Sequence, residues 1–199
     1  MCLDTKGTGI STNFICRLKF AMVSPINTKL TFNHFLNTFF ALFANRYEKY
    51  VTTEGEISKK DLSNIFQEIV RLWPPFFGGL RVAKTELKLG NFHVPEGYGI
   101  FYANYLAHRD PEVFSNPESF EPDRWEGANA KDKAKVFGFG SGPHKCIGEN
   151  LMLDVMHFVA GKFVKSFKWE HLERPMDRNI KCLPVLRPRH LQPMILYRK

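Results

Sequence analysis

The sequence predicts a mainly α protein with small β-sheets, and three observations predict it. Apolar residues recur at helical spacing in two stretches, residues 62–70 and 151–164. A third stretch, residues 30–50, is dense in phenylalanine and leucine, as a buried helix is. The apolar runs between them are short and separated by glycine, asparagine and proline, the pattern of brief strands and turns. With 199 residues, 44% of them hydrophobic and 19 of them Phe, the chain can build a real core, as one domain or as part of a larger one.

Residues 1–27 show little periodicity. Phe32, Phe35, Leu36, Phe39, Phe40, Leu42 and Phe43 then carry the first helix, and they read as core rather than as the wall of a substrate channel. Residues 52–55 are a loop. The next helix, 59–72, is announced by Ser58 with Asp61 three residues on, a capping box with Asp in place of Glu or Gln. Ile57 and Leu62 are spaced to staple its entry. Leu62, Ile65, Phe66, Ile69 and Val70 form its apolar stripe, and Pro74-Pro75 ends it.

Strands are expected at 81–83, 86–89 and 92–94, the last two joined by Gly90-Asn91 as a two-residue hairpin turn. Pro95-Glu96-Gly97 is another turn, and 99–105 is a strand or short helix. Residues 108–125 are too rich in Pro, Asp, Ser and Asn for a regular element, yet Phe114, Phe120 and Trp125 need burial. That segment is expected to be irregular but ordered. A glycine-rich stretch, 136–148, leads into the last long helix, whose Leu151, Met152, Val155, Met156, Val159, Ala160, Phe163 and Val164 keep one register. The tail, with prolines at 184, 188 and 193, reads as short strands and turns.

A net charge of +8 makes the surface basic, which suits an acidic redox protein or an anionic membrane. Nucleic acid is not an expected partner, because the basic residues are scattered and no binding motif accompanies them. Cys2, Cys16, Cys146 and Cys182 lie far apart with no CxxC pair, so free thiols in a reducing compartment are expected rather than a disulfide framework. No run of 18 apolar residues is present, and the first residues lack the order of a secretory signal; no anchor is visible, and membrane attachment is expected to need sequence beyond this chain.

The chemistry concentrates at Phe139-Gly140-Ser141-Gly142-Pro143-His144-Lys145-Cys146-Ile147-Gly148. Glycines at 138, 140, 142 and 148 bracket one cysteine, and glycine permits tight backbone and close approach to a flat ligand. Cys146 stands just before a helix N-terminus, where free amides and the helix dipole favour an anionic sulfur. A lone cysteine is more often a buried structural thiol. No second His/Cys cluster at zinc spacing turns His144 and Cys146 into half of a metal site.

This stretch resembles the haem-binding loop of the cytochrome P450 superfamily, F-x-x-G-x-R/H-x-C-x-G, with Phe139, Gly142, His144, Cys146 and Gly148 in register. Two further landmarks follow the same order. Glu68-Ile69-Val70-Arg71 is similar to the E-x-x-R motif, and residues three apart on a helix can pair. Pro122-Asp123-Arg124-Trp125 resembles the P-x-R-F element, with Trp in place of Phe. The resemblance covers residues 58–199, leaving 1–57 as an N-terminal helical segment without assignment. In outline the Gly78-Gly79-Leu80-Arg81-Val82-Ala83 segment is nearest the retinoid-hydroxylating branch.

The resemblance implies the C-terminal portion of the cytochrome P450 fold and heme b (iron protoporphyrin IX) as cofactor. Cys146 would be the axial iron ligand, with His144, Arg81, Phe139 and Gly140 as further cofactor contacts and Glu68, Arg71 and Arg124 as a structural brace. It implies a monooxygenase that places one oxygen atom from O2 into a lipophilic small molecule, with electrons from an NADPH-dependent P450 reductase or another redox partner on the basic surface. Relatives of full length are typically on the endoplasmic reticulum membrane facing the cytosol. The family's catalytic unit is well over twice as long as this chain, and its oxygen-activating residues have no counterpart here; Gly9-Ile10-Ser11-Thr12 lacks the acid that would make it one. The alternative reading is a truncated, non-catalytic haem-binding or scaffold fragment.

Overall fold

In the computed structural model of the chain, residues 27–43, 47–171, 180–181, 187–188 and 194–199 are described. Their helices are α1 (Asn27–Phe43), α2 (Tyr47–Tyr50), α3 (Lys59–Leu72), α4 (Asn104–Ala107), α5 (Ala130–Lys133) and α6 (Glu149–Ser166). Short 3-10 turns lie at Pro122–Trp125 and Gly142–His144. The strands pair as four antiparallel ribbons: β1 (Gly79–Val82) with β4 (Gly99–Tyr102), β2 (Leu87–Leu89) with β3 (Phe92–Val94), β5 (Phe167–His171) with β8 (Met194–Arg198), and β6 (Ile180–Lys181) with β7 (Arg187–Pro188). None of the described helices is long and apolar enough to cross a membrane.

Helix α3 is the organising element, and its sequence explains it. The Ser58 hydroxyl accepts a hydrogen bond from the Asp61 amide at 3.0 Å, satisfying one of the free amides of the first turn. The reciprocal half of the expected capping box is absent: the Asp61 carboxylate accepts from the Ser58 hydroxyl instead, at 2.7 Å. Aspartate is one methylene too short to reach back to the cap amide as glutamate does. At the other end the Trp73 amide closes on Ile69, and the two prolines prevent further turns. Replacing Ser58 with alanine is expected to lower stability by about 1 kcal/mol, read as a shift in the denaturant midpoint.

One core holds these elements together. Phe35 and Phe39 from α1, Ile65 and Ile69 from α3, Met156, Ala160 and Val164 from α6, and Trp169 from β5 are all buried in the same cluster. Phe35 and Phe39 are therefore core, with Phe32, Leu36 and Phe40 half-buried against it, and a helix lying in residues 1–57 shares its packing with the region from 58 onward; the side chains of Leu42 and Phe43 lie outside the described residues. The expected single helix over 30–50 is α1 followed by the turn α2, with residues 44–46 outside the described residues.

Other differences are local. The first strand is Gly79–Val82 rather than 81–83, because Gly79 pairs opposite Tyr102 and extends the ribbon backwards. Residues 99–105 are both strand and helix, β4 followed by α4. Helix α6 starts at Glu149, directly after the glycine-rich stretch as expected, with Gly148 as its N-cap. At the Gly90-Asn91 turn only the glycine has positive φ, +56°, the pattern of a type II′ hairpin. Along the β1–β4 ribbon Leu80 sits opposite Phe101, and these two with Val82 share one face, all exposed. Arg81 and Tyr102 lie on the other face, and the Arg81 guanidinium sits 5.1 Å from the centre of the Tyr102 ring.

Candidate functional site

The cysteine loop is laid directly on the end of α3. A Cβ added at Gly138 would come within 2.6 Å of the Val70 Cγ1 and 3.4 Å of the Pro74 Cβ, so only glycine allows this approach. Phe139 then turns inward, its ring stacked against Phe35 at 5.6 Å and Phe66 at 6.3 Å between centroids. Past this anchor the backbone swings out through Gly140 and Gly142, at φ +78° and +63°. The Cys146 amide closes the excursion by donating to the Phe139 carbonyl at 2.8 Å.

The loop thus presents Cys146 as a free, exposed thiol two residues ahead of the N-cap of α6. Its Sγ lies 3.6 Å from the point a Cβ on Gly148 would occupy. The first-turn amides and positive end of the helix dipole stabilise negative charge at that end. Ile147 beside it is 96% exposed, and His144 is exposed on the Gly142–His144 turn. Cys2, Cys16 and Cys182 lie outside the described residues.

Behind the loop, Glu68, Arg71 and Arg124 meet. Arg71 and Glu68 are both 0% exposed and form a two-pronged pair at 2.7 and 2.9 Å. The remaining Arg71 hydrogens go to the carbonyls of His108 (2.8 Å), Pro117 (2.6 Å) and Ser119 (2.9 Å), so all five donors of the guanidinium are used. The two Glu68 oxygens also accept from the Glu121 amide, the Arg124 Nε and the Trp125 indole, at 2.9–3.0 Å. Arg124 reaches on to the carbonyl of Ser115 at 2.7 Å. A segment with little regular structure is fixed in this way, its backbone oxygens tied to the buried Arg71 and the largely covered Arg124.

His108 stands between this brace and the loop, and its residue type gave no sign of that in the sequence. It is 0% exposed. Its Nδ1 lies 3.1 Å from the Arg71 carbonyl, and its Nε2 accepts the Phe137 amide at 3.0 Å. An amide can only donate, so Nε2 carries no proton and Nδ1–H donates to Arg71. Burial pushes the imidazole pKa down to about 4, helped by the charges of Arg71 and Arg109 and opposed by the hydrogen bond to the Arg71 carbonyl.

The sign of the resulting pH dependence follows. The unfolded chain binds a proton at this position below about pH 6.5, while the folded chain does so only below about 4. Stability at this site is complete above 6.5 and is expected to fall by about 3 kcal/mol as the pH drops to 4. Denaturation midpoints measured across that window check it, with a His108→Phe variant losing this component of the slope.

Arg81 is exposed, held over Tyr102, and the Tyr102 ring in turn faces Phe137 at 6.4 Å. The β1–β4 ribbon therefore reaches the root of the cysteine loop through one tyrosine. A Cβ at Gly79 would lie 2.4 Å from the Tyr102 hydroxyl, so Gly79 is what lets that ring lie flat on the ribbon.

Comparison with known proteins places this geometry. The family model for cytochrome P450 matches residues 60–193. Protopanaxadiol 6-hydroxylase of Panax ginseng is 36% identical over 141 residues, covering 62% of this chain and 30% of that protein. A cyclooctat-9-en-7-ol 5-monooxygenase of Streptomyces melanosporofaciens is 42% identical over 91 residues, 45% of this chain and 20% of that one. Among solved structures, the retinoic acid bound cyanobacterial CYP120A1 superposes with a TM-score of 0.73 over 86% of this chain and 43% of its own; at 24% identity this is a likeness of fold. The chain spans about a third of the length of the curated relatives it matches.

Proposed function

Because the chain belongs to the cytochrome P450 family, we propose that it forms the haem-thiolate portion of a monooxygenase, with Cys146 as the residue whose sulfur would hold the iron of heme b. The single observation that carries this reading is the free Cys146 thiol presented at the mouth of α6 by a loop whose root packs against the core. The residues present fit a haem. A soft sulfur donor, bare backbone at Gly140 and Gly142, and an aliphatic side chain standing almost wholly exposed at Ile147 make a surface suited to a flat, apolar, iron-holding ring.

A haem held through thiolate sulfur supplies cleavage of the O–O bond. The chain's own part is to hold and orient. Cys146 gives the ligand, α6 offers its dipole to the sulfur, and Phe139 anchors the loop by its ring while Gly140 leaves the backbone open. The Arg81 guanidinium and a ring N–H of His144 are proposed to meet the haem carboxylates. Glu68, Arg71 and Arg124 keep the support rigid and take no part in the chemistry.

The proposed reaction places one atom of O2 into a lipophilic small molecule. The two relatives are named for oxidation of protopanaxadiol and cyclooctat-9-en-7-ol, which supports a terpenoid-like substrate. Electrons would come from an NADPH-dependent P450 reductase or another acidic redox partner docking on the exposed Lys131, Lys133, Lys135 and Lys145 near the loop. The test is spectroscopic. The chain reconstituted with haem, reduced and exposed to carbon monoxide is expected to give the band of a haem-thiolate complex. Turnover of a terpenoid with a reductase would establish the activity; absence of haem uptake would favour the non-catalytic scaffold reading.

A further inference from the structure

We propose that His108 is a positioning residue for the thiolate: it sets the register between the Glu68–Arg71 brace and the cysteine loop through two hydrogen bonds, and so fixes where Cys146 stands. The inference rests on the haem-thiolate reading above and adds a residue to it.

The geometry leaves the loop few other routes to the brace. Phe137 begins the loop, and its backbone amide is spent on the His108 Nε2. One residue later Gly138 touches α3, and two residues later Phe139 packs against the core. Phe139 also supplies the carbonyl that accepts the Cys146 amide. A shift of Phe137 is therefore transmitted through two residues to the hydrogen bond that places the cysteine.

On its other side His108 is held twice by Arg71. Its ring donates to the Arg71 carbonyl, and its own carbonyl accepts from the Arg71 guanidinium at 2.8 Å. The Phe137 ring packs edge-on against the imidazole, 4.8 Å between centroids, which restricts the plane in which the ring can turn. Imidazole suits this place because one planar group donates on one side and accepts on the other. Phenylalanine keeps the shape and loses both bonds; glutamine can keep an oxygen for the Phe137 amide.

The test uses the full chain with nitrogen-labelled histidine, with and without haem. In the wild type, nitrogen NMR is expected to show His108 as the Nδ1–H tautomer; the Nε2–H tautomer would overturn the proposal. This measurement needs neither a variant nor cofactor. His108→Phe is expected to speed exchange of the Phe137 amide by about tenfold, the loss of one hydrogen bond. It is also expected to shift most of the reduced carbon monoxide complex from the thiolate band to the thiol band, with His108→Gln recovering the thiolate band. A His108→Phe protein with wild-type exchange and spectrum sinks the inference while the haem reading stands. A wild-type chain that takes up no haem overturns that reading, and with it the purpose given to the link; the tautomer and exchange results still report whether the link exists.

Discussion

Replacing Cys146 by serine is expected to abolish the haem-thiolate spectrum and reduce haem affinity by at least about 100-fold. That figure is the upper end of what is lost when only an outer partner of a metal ligand is changed, and here the ligand itself goes. A serine hydroxyl at this site stays protonated near neutral pH and gives iron no soft anionic donor. Because Cys146 is exposed and its side chain supports no packing, the folded chain should keep its stability within about 0.5 kcal/mol. The two measurements together are diagnostic. A lost spectrum with an unchanged unfolding midpoint assigns the ligand, whereas an unchanged pigment would remove Cys146 from the site.

The opposite pattern is expected at Glu68. Its replacement by alanine leaves the Arg71 guanidinium buried with no counter-charge and strands the Glu121 amide and the Trp125 indole. Removing one partner of a buried ion pair costs about 3–5 kcal/mol, a large share of the roughly 5–15 kcal/mol that holds a domain together. Arg71→Lys is expected to be nearly as damaging. A lysine has three hydrogens on one point, and the five acceptors around Arg71 are spread in the plane of a fork. Urea denaturation of both variants checks this. Midpoints close to wild type would mean the pair is dispensable to folding.

The sequence displayed those features that depend on residue type at short range. Helix α3 was legible at both ends because a capping serine and a proline pair mark it chemically, and its stripe from Leu62 to Val70 needs only periodicity. The β2–β3 hairpin was legible from Gly90-Asn91. The cysteine loop was legible because glycine and cysteine at fixed spacing are rare together.

What escaped was long-range and made of backbone. Three of the five Arg71 acceptors lie 37 to 48 residues away and are main-chain carbonyls, which carry no mark of residue type. His108 looked like the first residue of an irregular segment; nothing local distinguishes a histidine bridging two elements from one in solvent. The packing of the Phe139 ring on Phe35 and Phe66, from α1 and α3, is likewise a long-range contact that the motif around Cys146 does not display.

The face of the β1–β4 ribbon that shows Leu80, Val82 and Phe101 to solvent has a practical consequence for anyone purifying the chain. Three large greasy side chains in a row on a two-stranded ribbon are adhesive. Concentrated samples are expected to cluster through that face, and mild detergent or a lysine in place of Leu80 is the natural remedy.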